Sequence, residues 1–337
     1  MRSLARSWID ERVEFSPATH RTTARAVVLS YHSLFPTRGH MDLSVSFRHP
    51  NATDLPKINR LYRREYGDAY PYQLREDDLV SGIAFVAVAH GEVVGCARAI
   101  RPNPATPVFL FGGMIVDPPH RRHHIAKALT DLRFDAVTRA GARVVATEPV
   151  CCQPSRASQR NMIGNGFVPL GILPAKYPDI KPETLGDQPE SLTFAIRWLA
   201  GDVSVEGRQL HLDDRLLHLL HETSASLSAS ADGSRRMCGL MPAPEHHEPM
   251  RGTRADGSAF VDVPANWPES SAAIAEFERN GYVACAFLPG LGLTDCGERH
   301  DFVRLVHARG RRVRFEHVHV TEHLVPFKEY LAERCGE

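Results

Sequence analysis

Residues 114–129 read Met-Ile-Val-Asp-Pro-Pro-His-Arg-Arg-His-His-Ile-Ala-Lys-Ala-Leu. An apolar strand stops at a proline pair, a basic turn follows, and a helix begins. This order suits anion binding. The first turn of a helix offers backbone N–H groups without intrahelical partners and the positive end of the helix dipole. Arg121 and Arg122 add guanidinium donors that favour phosphate oxygens, and His123 and His124 lie beside them. A solvated basic turn that merely starts a helix has the same sequence, so spacing alone leaves both readings open.

Histidine pairs raise the question of a metal. His317 and His319 alternate on one face of an expected strand with His323 close by, and His246-His247 and His123-His124 are adjacent pairs. Zinc needs three or four convergent ligands with supporting hydrogen bonds. Alternating histidines do not supply that, and no metal is expected.

The elements that must position these residues follow from periodicity. Leu43 to Phe47 alternates as a strand, and Asp54 is placed to cap a helix whose Leu55, Ile58, Leu61 and Tyr62 share a face. Ile83 to Ala89 and Val93 to Ile100 form a hairpin around His90-Gly91-Glu92, and Val108 to Val116 is a third strand. The helix after the basic turn runs from His124 to Arg139, with Ile125, Leu129, Leu132 and Ala136 as its buried stripe and Gly141 as its stop. A strand at Arg143 to Thr147, a helix at Ser158 to Asn165, and strands at Phe167 to Leu173 and Leu192 to Trp198 complete this part. The pattern predicts an α/β (α+β) fold with a mixed, largely antiparallel sheet flanked by helices, not a doubly wound dinucleotide fold.

Beyond residue 200 the pattern predicts a helix at Leu210 to Leu220 and a loop at Ser224 to Ser234. Strands are expected at Ala259 to Val263, Tyr282 to Leu288, Phe302 to Val306 and Val313 to Val318, with helices at Ser271 to Arg279 and Glu322 to Arg334. One echo stands out: Asn165-Gly-Phe-Val-Pro-Leu-Gly-Ile-Leu-Pro174 against Asn280-Gly-Tyr-Val-Ala-Cys-Ala-Phe-Leu-Pro289. A short helix precedes each copy and an apolar strand follows each, which suggests a duplicated supersecondary unit.

Composition narrows the function classes. The formal net charge is zero, so no global field draws the chain to nucleic acid or an anionic membrane. Seven scattered cysteines without a CxxC pair argue against a disulfide scaffold and for a reducing cytoplasm. No apolar run reaches the ~18–20 residues that span a bilayer. The excess of arginine over lysine, with abundant alanine, suggests a GC-rich bacterial genome. The arginine-bearing first 40 residues are expected to be a loosely ordered extension, with Met41 as an alternative start.

Val116-Asp-Pro-Pro-His-Arg-Arg-His-His-Ile-Ala126 resembles the acyl-CoA pyrophosphate loop of the GNAT superfamily, Val-x-Pro-x-x-Arg-Gly-x-Gly-Ile-Gly/Ala. Asn165-Gly-Phe167 resembles the Gly-Phe that closes that superfamily's last helix, and Asp54-Leu-Pro56 and Val93-Val-Gly95 resemble its opening. The resemblance covers roughly residues 45–198. Arg122 and His124 stand where the superfamily usually has glycine. It implies a GNAT acyltransferase domain at 41–200 and, from Val261-Asp-Val-Pro264, Glu278-Arg-Asn-Gly-Tyr282 and Phe287-Leu-Pro289, a degenerate GNAT-like domain at 201–337. No second phosphate loop follows residue 200, so one CoA site per chain is expected.

The activity the resemblance implies is acyl-CoA-dependent N-acylation, with acetyl-CoA or another acyl-CoA as the donor and a small-molecule amine as the acceptor. Cofactor-binding residues would be Met114, Ile115, Val116, Arg121, Arg122, His123, His124, Ile125 and Ala126. Amine acylation needs a base for the incoming ammonium and an acid for the leaving thiolate. Many members draw the acid from a tyrosine at the position of Met162, so substitutes are sought nearby. Glu148 is the candidate base, with a carboxylate paired to an arginine as the plainer reading, and Cys152 and Ser155 are the candidate acids, with Cys151 and Ser158 beside them. Two other classes remain open: a binding or regulatory protein that keeps the fold without turnover, and a transferase using charged tRNA as donor.

Overall fold

The computed structural model describes residues 29–30, 44–68, 73–102, 104, 106–177, 188–199, 210–228, 260–293, 299–308 and 313–335. The expected extension at 1–40 therefore lies outside the described residues except for Leu29 and Ser30. Leu43, Ala259, Ala229 to Ser234 and His246-His247 lie outside them as well. The chain divides into two compact units between Ala142 and Arg143.

In the first unit, strands β1 (Leu29–Ser30), β2 (Val45–Arg48), β3 (Ile83–Ala89), β4 (Glu92–Ile100) and β5 (Val108–Val116) lie side by side in chain order, each antiparallel to the next. The turn from β3 to β4 is His90-Gly91, both with positive φ, 50° and 78°. That pair of conformations matches the twist of a two-residue hairpin. Helix α1 (Leu55–Tyr66) buries Leu55, Ile58, Leu61 and Tyr62 against Val86, Val93, Cys96 and Ile115. Fully burying side chains of this kind stabilises by roughly 1.5–3 kcal/mol each. Helix α3 (Ile125–Arg139) sets Ile125 and Leu129 against a separate cluster with Phe47, Phe85, Ala87, Val94 and Ala97. Gly141, at φ +81°, ends it as expected.

Several local expectations need correction. Asp54 makes no cap bond to α1; its carboxylate accepts from the Asn51 N–H at 2.8 Å and from the Arg48 guanidinium at 2.5 and 2.8 Å. Asn51 is the capping side chain, accepting from the Thr53 N–H at 2.9 Å. A six-residue helix, α2 (Glu76–Ser81), was not expected. The buried stripe of α3 is Ile125, Leu129, Arg133 and Val137, while Leu132 and Ala136 are half-buried. The stripe contains an arginine because Arg133 stacks 4.1 Å over the Phe111 ring and donates to the Arg98 carbonyl and the Thr130 hydroxyl.

The second unit runs through β6 (Val144–Thr147), α4 (Ala157–Gly164), β7 (Val168–Tyr177), β8 (Glu190–Trp198) and α5 (Asp214–Ser228). It continues through β9 (Phe260–Pro264), α6 (Ser270–Arg279), β10 (Tyr282–Leu293), β11 (Arg299–His307) and α7 (Val325–Cys335). Ser224 to Ser228 are helical rather than loop: alanine and leucine among the serines let the helix that starts at Asp214 continue. Val313 to Val318 is not a strand; it has no ladder partner, and Phe315–His317 closes into a 3₁₀ turn. His317 and His319 therefore do not alternate on a strand face.

The strand order here is β6-β8-β7-β10-β11-β9, with every pairing antiparallel. It reads as two like halves about the junction of β7 and β10. β6, α4, β7 and β8 correspond to β9, α6, β10 and β11. The contact at the junction is Gly171 opposite Ala286, the very residues that correspond in the sequence echo. Pro169 and Thr147 both pair with Ala195, as Ala284 and Val261 both pair with Leu305. The duplication legible in the sequence is thus a local pseudo-two-fold arrangement.

A Cβ placed on Gly171 would lie 2.4 Å from the Cα and Cβ of Ala286. Gly171→Ala is expected to lower stability by about 1–3 kcal/mol, the usual cost of overpacking. Adding Ala286→Gly should recover only part of that loss, since the new methyl would still lie 2.4 Å from the Cα of residue 286 and the Cys285 carbonyl oxygen. Thermal unfolding of the two single variants and the double variant checks this; additive losses would contradict it.

Candidate acyl-CoA site

The first unit holds the whole candidate anion-binding segment. After β5 the chain makes a 3₁₀ turn at Pro118–His120 and then enters α3. Asp117 fixes the start of the turn: its N–H donates to the Val94 carbonyl at 2.8 Å, and its carboxylate pairs with Arg64. Arg121 closes the turn, with Nε donating to the Val116 carbonyl at 3.0 Å and Nη2 to Glu65 Oε2 at 2.8 Å. Arg122, His123 and His124 are exposed, whereas Ile125 is buried and anchors the helix. Gly95 permits that anchor; a Cβ there would sit 3.3 Å from Ile125 Cγ2 and 3.1 Å from the Ile115 carbonyl.

The backbone at the two departures from the glycine pattern is informative. Arg122 has φ +69° and His124 has φ +57°. Left-handed backbone costs a residue with a Cβ roughly 1–2 kcal/mol, and glycine much less. The turn keeps the glycine conformation although both glycines are gone. His124 also gives α3 no side-chain cap, which leaves the N–H groups of the first turn for a ligand.

Strand β5 carries a bulge beside this turn. Cys96 pairs with Ile115 and Arg98 with Gly112, so Gly113 and Met114 together oppose Ala97 alone. Gly113 takes φ +56°, and a Cβ there would lie 2.4 Å from Tyr62 Oη. Only glycine fits. Met114, Ile115 and Val116 continue the strand into the turn.

The candidate acid and base residues belong to the second unit. Glu148 follows β6 directly and is almost wholly buried. Its partner is not an arginine but Lys176 on β7, whose Nζ lies 2.5 Å from both carboxylate oxygens. Burial pulls the Lys176 ammonium down to about 8 against the opposing pull of Glu148. In the corresponding half, Asp262 takes the place of Glu148 and holds buried Arg304 through two 2.7 Å hydrogen bonds. Burial works against the Arg304 charge, but Asp262 outweighs it and raises the pKa. The two ion pairs interact with each other across β7 and β10.

Cys152 is partly buried and donates its thiol to Glu190 Oε1 at 3.1 Å. Burial, then the Glu190 charge, pushes its pKa well up, so it is held as a thiol. Cys151 is buried, and its N–H and carbonyl bond Ser191 and His319. Ser155 is exposed on a turn, and Met162, at the position where many family members carry tyrosine, is packed in the core. Lys176 and Glu190 escape notice in the sequence, and Tyr62 is expected there only as a residue of the buried face of α1. The signal that finds Lys176 is a lone lysine inside the apolar run Leu170 to Tyr177. Among the described residues no group of three or more His, Cys, Asp or Glu side chains is arranged to hold a metal ion.

Residues 54–161 match the family model described as "Acetyltransferase (GNAT) family". No curated protein matches the chain. Among solved structures, the ribosomal-protein-S18-alanine N-acetyltransferase from Escherichia coli is 17% identical, covering 47% of this chain and 97% of that one, with TM-score 0.37. An N-acetyltransferase from Staphylococcus aureus Mu50 is 19% identical, covering 47% and 99%, with TM-score 0.38. The GphF GNAT-like decarboxylase in complex with isobutyryl-CoA is 17% identical, covering 46% and 99%, with TM-score 0.36. The class these residues define is the acyltransferases. Residues 54–161 are a GNAT acetyltransferase domain.

His124→Gly is expected to leave stability equal or raise it by about 1 kcal/mol, whereas His124→Val should lower it by about 1–2 kcal/mol, because a β-branched residue resists positive φ. Glu148→Gln should cost about 3 kcal/mol by stranding the buried Lys176 ammonium, and adding Lys176→Met should restore part of that. Denaturant titrations decide both; a Glu148→Gln variant as stable as the parent would remove the ion pair from the account.

Proposed function

We propose that the chain is an acyl-CoA-dependent N-acyltransferase that takes acetyl-CoA as donor and acylates an amine of a small molecule by direct transfer. The observation that carries this reading is the left-handed backbone at Arg122 and His124. Single side-chain-bearing residues take this conformation elsewhere, as Arg156 does before α4 and His90 in a hairpin. Among the described residues only this turn holds two of them, and such a turn can present consecutive N–H groups to a pyrophosphate. In this reading the pyrophosphate lies against residues 121–126, and N–H groups of Met114 to Val116 polarise the thioester carbonyl. The domain limits at residues 40 and 200 belong to the same proposal, as do a cytoplasmic location and a single donor site per chain.

Glu148 is proposed as the proton acceptor for the incoming ammonium, acting as one half of the pair with Lys176. Cys152, held as a thiol against Glu190, is proposed as the proton donor to the leaving thiolate, with the Ser155 hydroxyl as the other candidate. A second reading has its own support: Met162 in the core and Glu148 bound to Lys176 fit a protein that binds acyl-CoA without turnover.

Calorimetric titration with acetyl-CoA should give one site per chain. Arg122→Glu should weaken binding about tenfold or more, the scale of one charge-assisted hydrogen bond replaced by repulsion, with the unfolding midpoint nearly unchanged. Unaltered affinity in that variant would refute the placement, and a stoichiometry near two would refute the single site. With binding established, release of free CoA thiol in the presence of a panel of small amines separates the two readings. In Glu148→Gln, the rate per folded molecule should fall roughly 10²-fold if the carboxylate moves the proton.

A further inference from the structure

The bulge in β5 is held by a hydrogen-bonded chain that the proposed chemistry has not yet used. Tyr62 on α1 is 1% exposed, and its hydroxyl donates to the Gly113 carbonyl at 2.6 Å. The same hydroxyl accepts from the Cys96 thiol at 3.3 Å. Burial raises the Cys96 thiol to about 11, so it stays protonated and able to donate. Gly113 has neither side chain nor space: beyond the 2.4 Å contact with Tyr62 Oη, a Cβ would meet Arg98 Cγ at 3.2 Å and Nε at 3.3 Å.

The carbonyl that Tyr62 binds belongs to the peptide group whose N–H is that of Met114. The chain has no cis peptide bonds, so this carbonyl and this N–H point in opposite directions across one planar amide. A hydrogen bond to an amide oxygen draws electron density toward it and makes the N–H a stronger donor. Chains of such bonds reinforce one another, most where water is excluded. The order is Cys96 thiol, Tyr62 hydroxyl, Gly113 carbonyl, Met114 N–H. A buried tyrosine hydroxyl needs a hydrogen-bond partner, and the partner here is a carbonyl of the bulge itself, at 2.6 Å.

We propose that Tyr62 is a positioning residue for acyl transfer: by donating to the Gly113 carbonyl it fixes the bulge and strengthens the Met114 N–H as the donor that polarises the thioester carbonyl. This rests on the acyl-CoA reading above. Tyr62 touches neither donor nor acceptor and acts through a single peptide group.

The test reads the carbonyl itself and needs no acceptor. Acetyl-CoA labelled with carbon-13 at the thioester carbonyl is bound to the full chain, and its stretch is followed by difference infrared spectroscopy. Binding to the parent protein should move the stretch to lower frequency. Tyr62→Phe, which keeps the ring in the core, should lose most of that downshift while affinity by calorimetry changes little, because the pyrophosphate contacts are untouched. Replacing Tyr62 by 3-fluorotyrosine, a stronger donor of the same shape, should enlarge the downshift. It also keeps the experiment decisive if the phenylalanine variant fails to fold. The same downshift in the parent and in the substituted proteins would overturn the role of Tyr62. Binding by the parent with the carbonyl at its solution frequency would overturn it too, while leaving the acyl-CoA reading standing. No binding of acetyl-CoA to the parent would instead sink that reading, and this inference with it.

Discussion

Backbone conformation, more than any side chain, governs the candidate site. Between Gly113 and Ile125 three residues adopt positive φ: Gly113, Arg122 and His124. At Gly113 the absence of a Cβ makes the conformation cheap, and Tyr62 occupies the space that a side chain would take. At Arg122 and His124 the conformation is strained, and the surroundings must hold it. Arg121 does so from one side by bonding Val116 and Glu65, and Ile125 from the other by burial against Phe85, Ala87 and Val94. Helix α3 and the core beneath it hold the turn in this conformation. The identity of the exposed side chains is secondary to that arrangement.

The second unit follows a different logic, that of buried charge. Glu148 with Lys176, and Asp262 with Arg304, place two carboxylates and two cations in the interior of a sheet. Such pairs add little net stability compared with apolar packing of equal volume, yet breaking one is expensive because the survivor keeps its desolvation cost. The two halves preserve the carboxylate at corresponding positions but supply its cation from different strands, β7 in one case and β11 in the other. In both pairs the cation is the more deeply buried member, and the carboxylate neutralises it.

What the sequence revealed and what it hid divide along physical lines. Elements whose apolar residues repeat at strand or helix spacing, with glycine or proline at their ends, were legible: β5 lies within its expected limits, and α1, α3, β7, β8 and α6 fall within a few residues of theirs. Helix α2 was not, because six residues with three acids in the first turn carry too little apolar periodicity. Val313 to Val318 alternates as a strand should but meets no edge to pair with. The candidate phosphate-binding turn is visible in the sequence because its order of strand, basic turn and helix start is local. The roles of Tyr62, Lys176 and Arg133 are not. Each is a polar side chain in an apolar stripe, and each is explained by a partner distant in sequence: Gly113, Glu148 and Phe111. For Glu148 the sequence suggested a paired carboxylate, but nothing local could say that the cation was a buried lysine.

A chain built from two like halves can pair a half with its own counterpart or with the same half of another molecule, since both arrangements satisfy the same ladder. Gly171 opposite Ala286 bears directly on that choice. Where β7 and β10 meet, the Ala286 methyl fits, but a Cβ on residue 171 would lie 2.4 Å from that methyl, from the Ala286 Cα and from the Cys285 carbonyl oxygen. Two copies joined through β10 at this register would set alanine against alanine in the space of a single methyl. Two copies joined through β7 would set glycine against glycine and leave a gap where a methyl belongs. Only the pairing of unlike halves fills the space once. A single difference in side-chain volume at the junction thus favours pairing of unlike halves over association of like with like.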